Sequence, residues 1–358
     1  MRRLGLFSAV AIDSMTPTKK ILLTGGAGFI GSHVAEALLL RGAQLTIVDA
    51  LDDFYSPQRK RANLDEVRRC GAFQFEHADI CDVDRMREIF AACQPDAVIH
   101  LAARAGVRPS IEQPRLYERV NVAGTLNLLD LCREFRVPRF VFGSSSSVYG
   151  ADSPVPFSEE QLTLRPITPY AATKLAGELL AYTYAHVWGL QIVCLRFFTV
   201  YGPRQRPDLA IHRFTELVER GEALPIFGDG SSARDYTYVD DIVAGVLAAL
   251  DYKFAEPASA ATGGGTGVAS AAGAAFEIFN LGNSSPIRLD KMVQAIERAT
   301  GRVAARRVLP LQVGDVPITS ADISRAERIL GYEPQVTLAD GLNRFVEWFR
   351  SVLAAREA

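Results

Sequence analysis

ILLTGGAGFIGSHVAEALLLRGAQLTIVDA, residues 21–50, decides the fold. A short apolar run leads into glycines at 25, 28 and 31, then an amphipathic stretch over 29–41, then a second apolar run, Leu45 to Val48. The pattern predicts strand, tight turn, helix and strand. Glycine at these three places permits a sharp turn, lets backbone amides approach a pyrophosphate and lets helix and strand pack closely. Asp49 ends the second run 18 residues beyond Gly31, where a carboxylate accepts from ribose hydroxyls and repels a 2′-phosphate. A bound NAD, rather than NADP, is the expectation.

The alternation continues through Ala97–Ile99 and Arg139–Phe142, with helical stretches expected over 82–93 and 115–135. This predicts an α/β class: a Rossmann-type, doubly wound parallel sheet over residues 19–200. After residue 200 the rhythm loosens into turn-rich segments between helices expected at 210–220, 239–250, 289–300 and 339–352, so a smaller, interleaved α/β substrate-binding lobe is expected over 201–352. The strand-like run 276–280 is expected to return to the first sheet. Residues 254–275, rich in Ala, Gly, Ser and Thr, read as a flexible insertion. Residues 1–18 read as a disordered leader, with Met15 a candidate start.

The 358 residues are 48% hydrophobic and 22% charged, with a formal net charge of −2, which gives no electrostatic reason to expect nucleic acid or an anionic membrane as partner. Five cysteines without a CxxC and five histidines without ligand spacing predict a reduced, metal-free cytoplasmic protein.

Two further stretches carry chemistry. PYAATK, 169–174, puts Tyr170 and Lys174 one turn apart on a helix opened by Pro169. With eleven tyrosines but six lysines in the chain, such a pair is uncommon by accident. A tyrosine with an ordinary pKa of about 10 is a poor base, and a neighbouring ammonium and a cationic nicotinamide both favour its phenolate. GSSSSVYG, 143–150, follows a buried strand and reads as hydroxyls presented at a strand end.

TGGAGFIG, HLAA (100–103), SSSSVYG and PYAATK together resemble the extended short-chain dehydrogenase/reductase superfamily, and within it the nucleotide-sugar epimerases. The resemblance runs from about residue 20 to 352. It implies Ser145, Tyr170 and Lys174 as the catalytic set. It also implies a cofactor site that includes Gly25, Gly28, Phe29, Ile30, Gly31 and Asp49, with Asp79, Ile80, Leu101, Ala102 and Ala103 around them. Arg234 falls on a substrate diphosphate and Phe227 beside a uracil. A homodimer through helices near 115–135 and 170–188 is implied as well. Related dehydratases and decarboxylases resemble one another in carrying acids where this chain has Ser145, Ser146 and Ser147. The reading is therefore C4 epimerisation of a UDP-sugar with NAD recycled.

RFFTVYGPRQRPD (196–208), AGVRPS (105–110) and DDFYSPQRKRANL (52–64) are similar to UDP-glucuronate 4-epimerases, whereas UDP-glucose 4-epimerases carry Asn where this chain has Thr199. Thr199, Ser146 and Arg206, with Arg108 second to Arg206, are the candidates for holding a C6 carboxylate. A neutral or N-acetylated UDP-hexose remains the alternative substrate, and a decarboxylase or a silent sugar-nucleotide binder the third.

Overall fold

The computed structural model describes residues 19–161, 165–254, 274–310 and 316–357. Both the leader and nearly all of the 254–275 insertion lie outside the described residues.

The first half runs β1 (Lys20–Thr24), α1 (Phe29–Leu40), β2 (Gln44–Asp49), α2 (Pro57–Arg68), β3 (Gln74–His77), α3 (Val83–Cys93) and β4 (Ala97–His100). It continues with α4 (Val107–Glu112), α5 (Pro114–Glu118), α6 (Gly124–Glu134), β5 (Arg139–Ser145), α7 (Pro169–Trp188) and β6 (Gln191–Phe197). Beyond come β7 (Thr199–Tyr201), α8 (Ala210–Arg220), β8 (Leu224–Phe227), β9 (Ala233–Tyr238), α9 (Val239–Asp251) and β10 (Phe276–Leu281). The last elements are β11 (Pro286–Arg288), α10 (Leu289–Thr300), β12 (Arg306–Leu309), α11 (Ser324–Leu330) and α12 (Leu338–Glu357).

Seven strands form one parallel sheet in the order β10-β6-β5-β4-β1-β2-β3. Strand residues alternate between two apolar clusters: Ile21 and Leu23 feed one, Leu22 the other, and Val193 and Leu195 oppose Ile192 and Cys194. Burial on both faces explains why these strands are nearly continuous apolar runs. The chain reverses direction of winding between β1 and β4, and the crevice outside the carboxyl ends of the strands there is where such sheets bind ligands. The smaller lobe contains a three-stranded sheet, β11-β9-β7, and the pair β12-β8. It is not separate: Phe214, Leu224 and Phe345 belong to the same apolar cluster as Ile21.

The stretch expected as one helix over 115–135 is broken instead. A wide turn over Arg119–Ala123 separates α5 from α6. The Asn121 side chain accepts from the Arg104 amide at 2.8 Å and donates to the Arg104 carbonyl and to Thr173, while Thr125 bonds back to the Asn121 carbonyl. A side chain turned to a neighbouring loop, with a threonine taking its carbonyl, widens the helix locally. Polarity hides three other elements from sequence reading: β3 (QFEH) is too polar for a core strand, α2 is densely charged, and α11 is short and charged.

Candidate active site

One cavity of about 730 Å³ runs along the carboxyl ends of the sheet, from the glycine turn to the smaller lobe. At its first end β1 delivers the chain into the turn. Gly25 has φ +73°, and a Cβ there would lie 2.6 Å from the Ala102 amide nitrogen. A Cβ on Gly31 would lie 2.1 Å from the Gly25 carbonyl oxygen. Glycine is therefore required at both places, and the turn leaves the amino end of α1, with Gly28, Phe29, Ile30 and Gly31, lining the cavity. Asp49, at the end of β2, accepts from the Ala27 and Leu51 amides at 3.1 and 2.9 Å. Burial pushes its carboxyl up, and those amides with Lys60 pull it back. Asp79, Ile80, Leu101, Ala102 and Ala103 line the same end. Tyr55 Oη and Arg104 Nε, in the wall towards Arg206, are buried with no hydrogen-bond partner among the described residues. A cradle that a Cβ would fill and an acid at the next strand end fit a bound dinucleotide.

The middle of the cavity is built from two elements. The seven-residue β5 runs on into the serines, so Ser144 and Ser145 extend the strand and Ser146 opens a single turn to Tyr149. Ser145 accepts from the Ser147 amide at 3.2 Å. α7 begins with Thr168 capping the Ala171 amide and Pro169 at the first helical position. This brings Tyr170 next to Ser145, whose hydroxyl favours the phenolate. Burial raises the Tyr170 phenol, offset by the Ser145 hydrogen bond and the Arg206 charge. Lys174, 4% exposed, donates to the Gly143 carbonyl at 2.7 Å and sits 4.9 Å over the Phe142 ring. Burial pulls its ammonium down to about 8, with Glu178 and Cys194 acting the other way. Its charge is lost as pH rises through that value. Tyr149 donates to Asn280 and stacks on Phe157, which makes it a packing residue.

At the far end Ser146, Thr199, Arg206 and Arg234 line the cavity. The Arg206 guanidinium lies 5.2 Å from the Phe54 ring, which is stacked by Arg104 at 4.9 Å. Its Nε and Nη2 donate to both Asp208 oxygens at 3.0 and 2.8 Å. A carboxylate of the chain thus holds one edge of the fork, and Nη1 remains for a second acceptor. Arg108 and Phe227 do not line this cavity; they stack on each other at 5.4 Å. The cation is thereby drawn to the aromatic ring on β8, away from Arg206. Sequence reading missed Phe54, Arg104, Asp208 and a buried Glu178–Arg196 pair. For Glu178 a signal exists, since Tyr170, Lys174 and Glu178 follow at four-residue steps.

Among the described residues no group of side chains suits a metal, and no helix is long and apolar enough to cross a membrane.

A dinucleotide cradle that shares its cavity with a serine-assisted tyrosine and a buried lysine is the arrangement of an extended short-chain dehydrogenase/reductase. Residues 22–345 match the model of the GDP-mannose 4,6 dehydratase family, and the chain belongs to that family. UDP-glucuronate 4-epimerase 4 of Arabidopsis thaliana is 44% identical over 92% of this chain and 75% of its own length. Among solved structures, UDP-glucuronic acid 4-epimerase from Bacillus cereus, in complex with UDP-glucuronic acid and NAD, superposes with a TM-score of 0.81. It is 35% identical, covering 93% of this chain and 99% of its own. UDP-glucose 4-epimerase from Thermotoga maritima, with UDP-glucose, superposes equally at 0.81 and is 34% identical, covering 93% of this chain and 99% of its own.

Proposed function

We propose that the protein is a nucleotide-sugar 4-epimerase that interconverts UDP-glucuronate and UDP-galacturonate through a transient 4-keto sugar, with NAD held and recycled. The observation that carries the uronate is Arg206, a cation at the sugar end of the cavity beside Tyr170, where Ser145, Ser146 and Ser147 supply hydroxyls and no acid. The similarity to UDP-glucuronate 4-epimerases supports it.

NAD bound at the glycine cradle supplies a reversible hydride acceptor for the sugar's C4. The chain's own groups do the rest. Ser145 orients the 4-hydroxyl and Tyr170 takes its proton, returning it after the keto sugar turns its other face. Lys174 holds a positive charge a helical turn from Tyr170. Ser146, Thr199 and Nη1 of Arg206 hold the C6 carboxylate, and Arg234 meets the diphosphate, for which a planar fork of donors is suited. Holding the carboxylate also guards the product: a 4-keto uronate is a β-keto acid and loses CO2 when its carboxylate bond stands perpendicular to the carbonyl plane.

Exposed apolar residues on α7 support a homodimer through α6 and α7. Leu179, Tyr182, Val187 and Trp188 are all exposed on α7, and α6 is tied beside it by the Tyr184–Asp130 hydrogen bond. Five free thiols suit a reducing cytoplasm, and a uronate product suits polysaccharide assembly.

A proton NMR time course with UDP-glucuronate, and in a parallel tube UDP-glucose, tests the reading without added NAD. UDP-galacturonate alone is the expected product. Conversion of UDP-glucose alone would overturn the uronate assignment in favour of the neutral-sugar epimerase, which the similarity to the Thermotoga maritima enzyme supports.

A further inference from the structure

Behind the catalytic pair lies a buried ion pair that the reaction described above does not use. Glu178 is 3% and Arg196 3% exposed. Arg196 on β6 donates to both oxygens of Glu178 on α7, at 3.0 and 2.7 Å. Oxygen Oε1 of Glu178 also accepts from Ser144 Oγ at 2.5 Å. Arg196 then stacks over Tyr149 at 4.7 Å, whose hydroxyl reaches Asn280 on β10. Three elements, α7, β5 and β6, thus meet at one carboxylate, and Arg196 and Tyr149 extend the contacts to β10.

Burying two charges costs desolvation that apolar residues of similar size would avoid, so stability alone is a weak reason to keep such a pair. What it touches is informative. Ser144 is the residue before Ser145, so the Ser144–Glu178 bond joins the end of β5 directly to α7. Glu178 follows Lys174 by one helical turn, on the same face as Lys174 and Tyr170. The ionisable groups facing Lys174 are Glu178 on its own helix, Cys194 on β6 and His100 on β4, with Arg196 beyond Glu178. Glu178 is the carboxylate in that set. The bond from Lys174 to the Gly143 carbonyl ties the same helix to the same strand one residue earlier.

We propose that Glu178 is a positioning residue for the epimerase reaction: it locks the Ser144–Ser145 strand end to α7, fixing Ser145 against Tyr170, and it keeps the buried Lys174 charged. The proposal rests on the reading of Tyr170, Lys174 and Ser145 as the reacting set, but not on which sugar is bound. Two separable effects follow. Removing the negative charge while keeping the shape, Glu178→Gln, leaves Lys174 with its burial and without its anion, so its proton is lost at lower pH. Removing the serine link alone, Ser144→Ala, leaves the charges in place and loosens the strand end.

The test uses the holoenzyme with 13Cε-labelled lysine. Six lysines give few resonances, and Lys174→Met identifies the one of interest. The Lys174 midpoint is expected to fall by about one pH unit in Glu178→Gln, the scale of a nearby charge, and to stay near the native value in Glu178→Asp and Ser144→Ala. For turnover, each variant is assayed on whichever UDP-sugar the native enzyme converts. Ser144→Ala is expected to lower kcat about tenfold, the scale of one lost hydrogen bond to a charged group. KM and the alkaline limb of its pH profile stay within twofold and a few tenths of a unit. Glu178→Gln is expected to move that limb to lower pH. An unmoved Lys174 midpoint, or a Ser144→Ala enzyme with native kcat, overturns the proposal. Should Glu178→Gln leave Arg196 stranded and the chain unfolded by near-UV circular dichroism, Glu178→Asp decides: a lowered kcat, with the midpoint at or below its native value, supports the proposal, and a native kcat with a native midpoint overturns it. A native enzyme that converts UDP-glucose alone defeats the uronate reading and leaves this test standing.

Discussion

The two ends of the cavity are made differently. At the cofactor and catalytic end, each cluster comes from one or two consecutive elements: the glycine turn between β1 and α1, the serines at the end of β5, Tyr170 and Lys174 on the first turns of α7. At the sugar end, Thr199, Arg206 and Arg234 come from β7, a loop and β9, and their neighbours Phe54 and Arg104 from other loops more than ninety residues earlier. The first end sits on consecutive sheet and helix elements, whereas the second is gathered from short strands and loops far apart in the chain.

Four substitutions test how deep that division goes. Tyr170→Phe removes the proton carrier and is expected to cost kcat roughly a thousandfold, the scale of general acid–base catalysis, with NAD retained; a loss below about tenfold by steady-state assay would break the assignment. Gly31→Ala drives a methyl into the Gly25 carbonyl, and backbone cannot swing aside. It is expected to destabilise by about 1–3 kcal/mol and to release NAD on purification, as read by thermal unfolding and absorbance of the denatured supernatant. Arg206→Ala removes a charge-assisted contact of about 1.5–3 kcal/mol. KM for UDP-glucuronate is expected to rise at least tenfold, with a UDP-pentose by-product appearing in the NMR spectrum, while KM for UDP-glucose stays put. Unchanged epimerisation without pentose would put Arg206 among structural residues. Arg108→Ala, which loses a stacking contact of about 0.5–1 kcal/mol, should change KM by less than about fivefold and equally for both sugars. A larger, uronate-selective effect would return Arg108 to the carboxylate.

Much of the first end was legible because its signals are local. Gly25, Gly28, Gly31 and Asp49 are spaced by the geometry of one strand-turn-helix-strand unit, and Tyr170 and Lys174 by one helical turn. The helix expected over 29–41 and the strands through Phe142 stand where their apolar periods place them. The second end was legible only as residue types. An arginine in a loop carries no period, so the sequence offers Arg206 first and Arg108 second for one carboxylate by resemblance and residue type, without placing either. In the fold, Asp208 and Phe54 fix Arg206 at the cavity, whereas Phe227 captures Arg108 outside it. The wide turn at Arg119–Ala123 escaped for a related reason. An asparagine's choice between its own helix and a loop seventeen residues away in the chain is settled by contacts, not by propensity.

By itself, then, the sequence determined the parallel sheet, the glycine cradle with Asp49 at the next strand end, and the pairing of Tyr170 with Lys174 on one helix face, because each follows from short-range spacing that backbone geometry imposes. Tertiary structure alone decided which arginine lines the cavity, and that Glu178 and Arg196 lie buried behind the lysine. It also decided that the smaller lobe shares its core with the sheet. Each of these depends on segments far apart in the chain meeting in a desolvated space, where a charge is held by whatever partner the packing supplies.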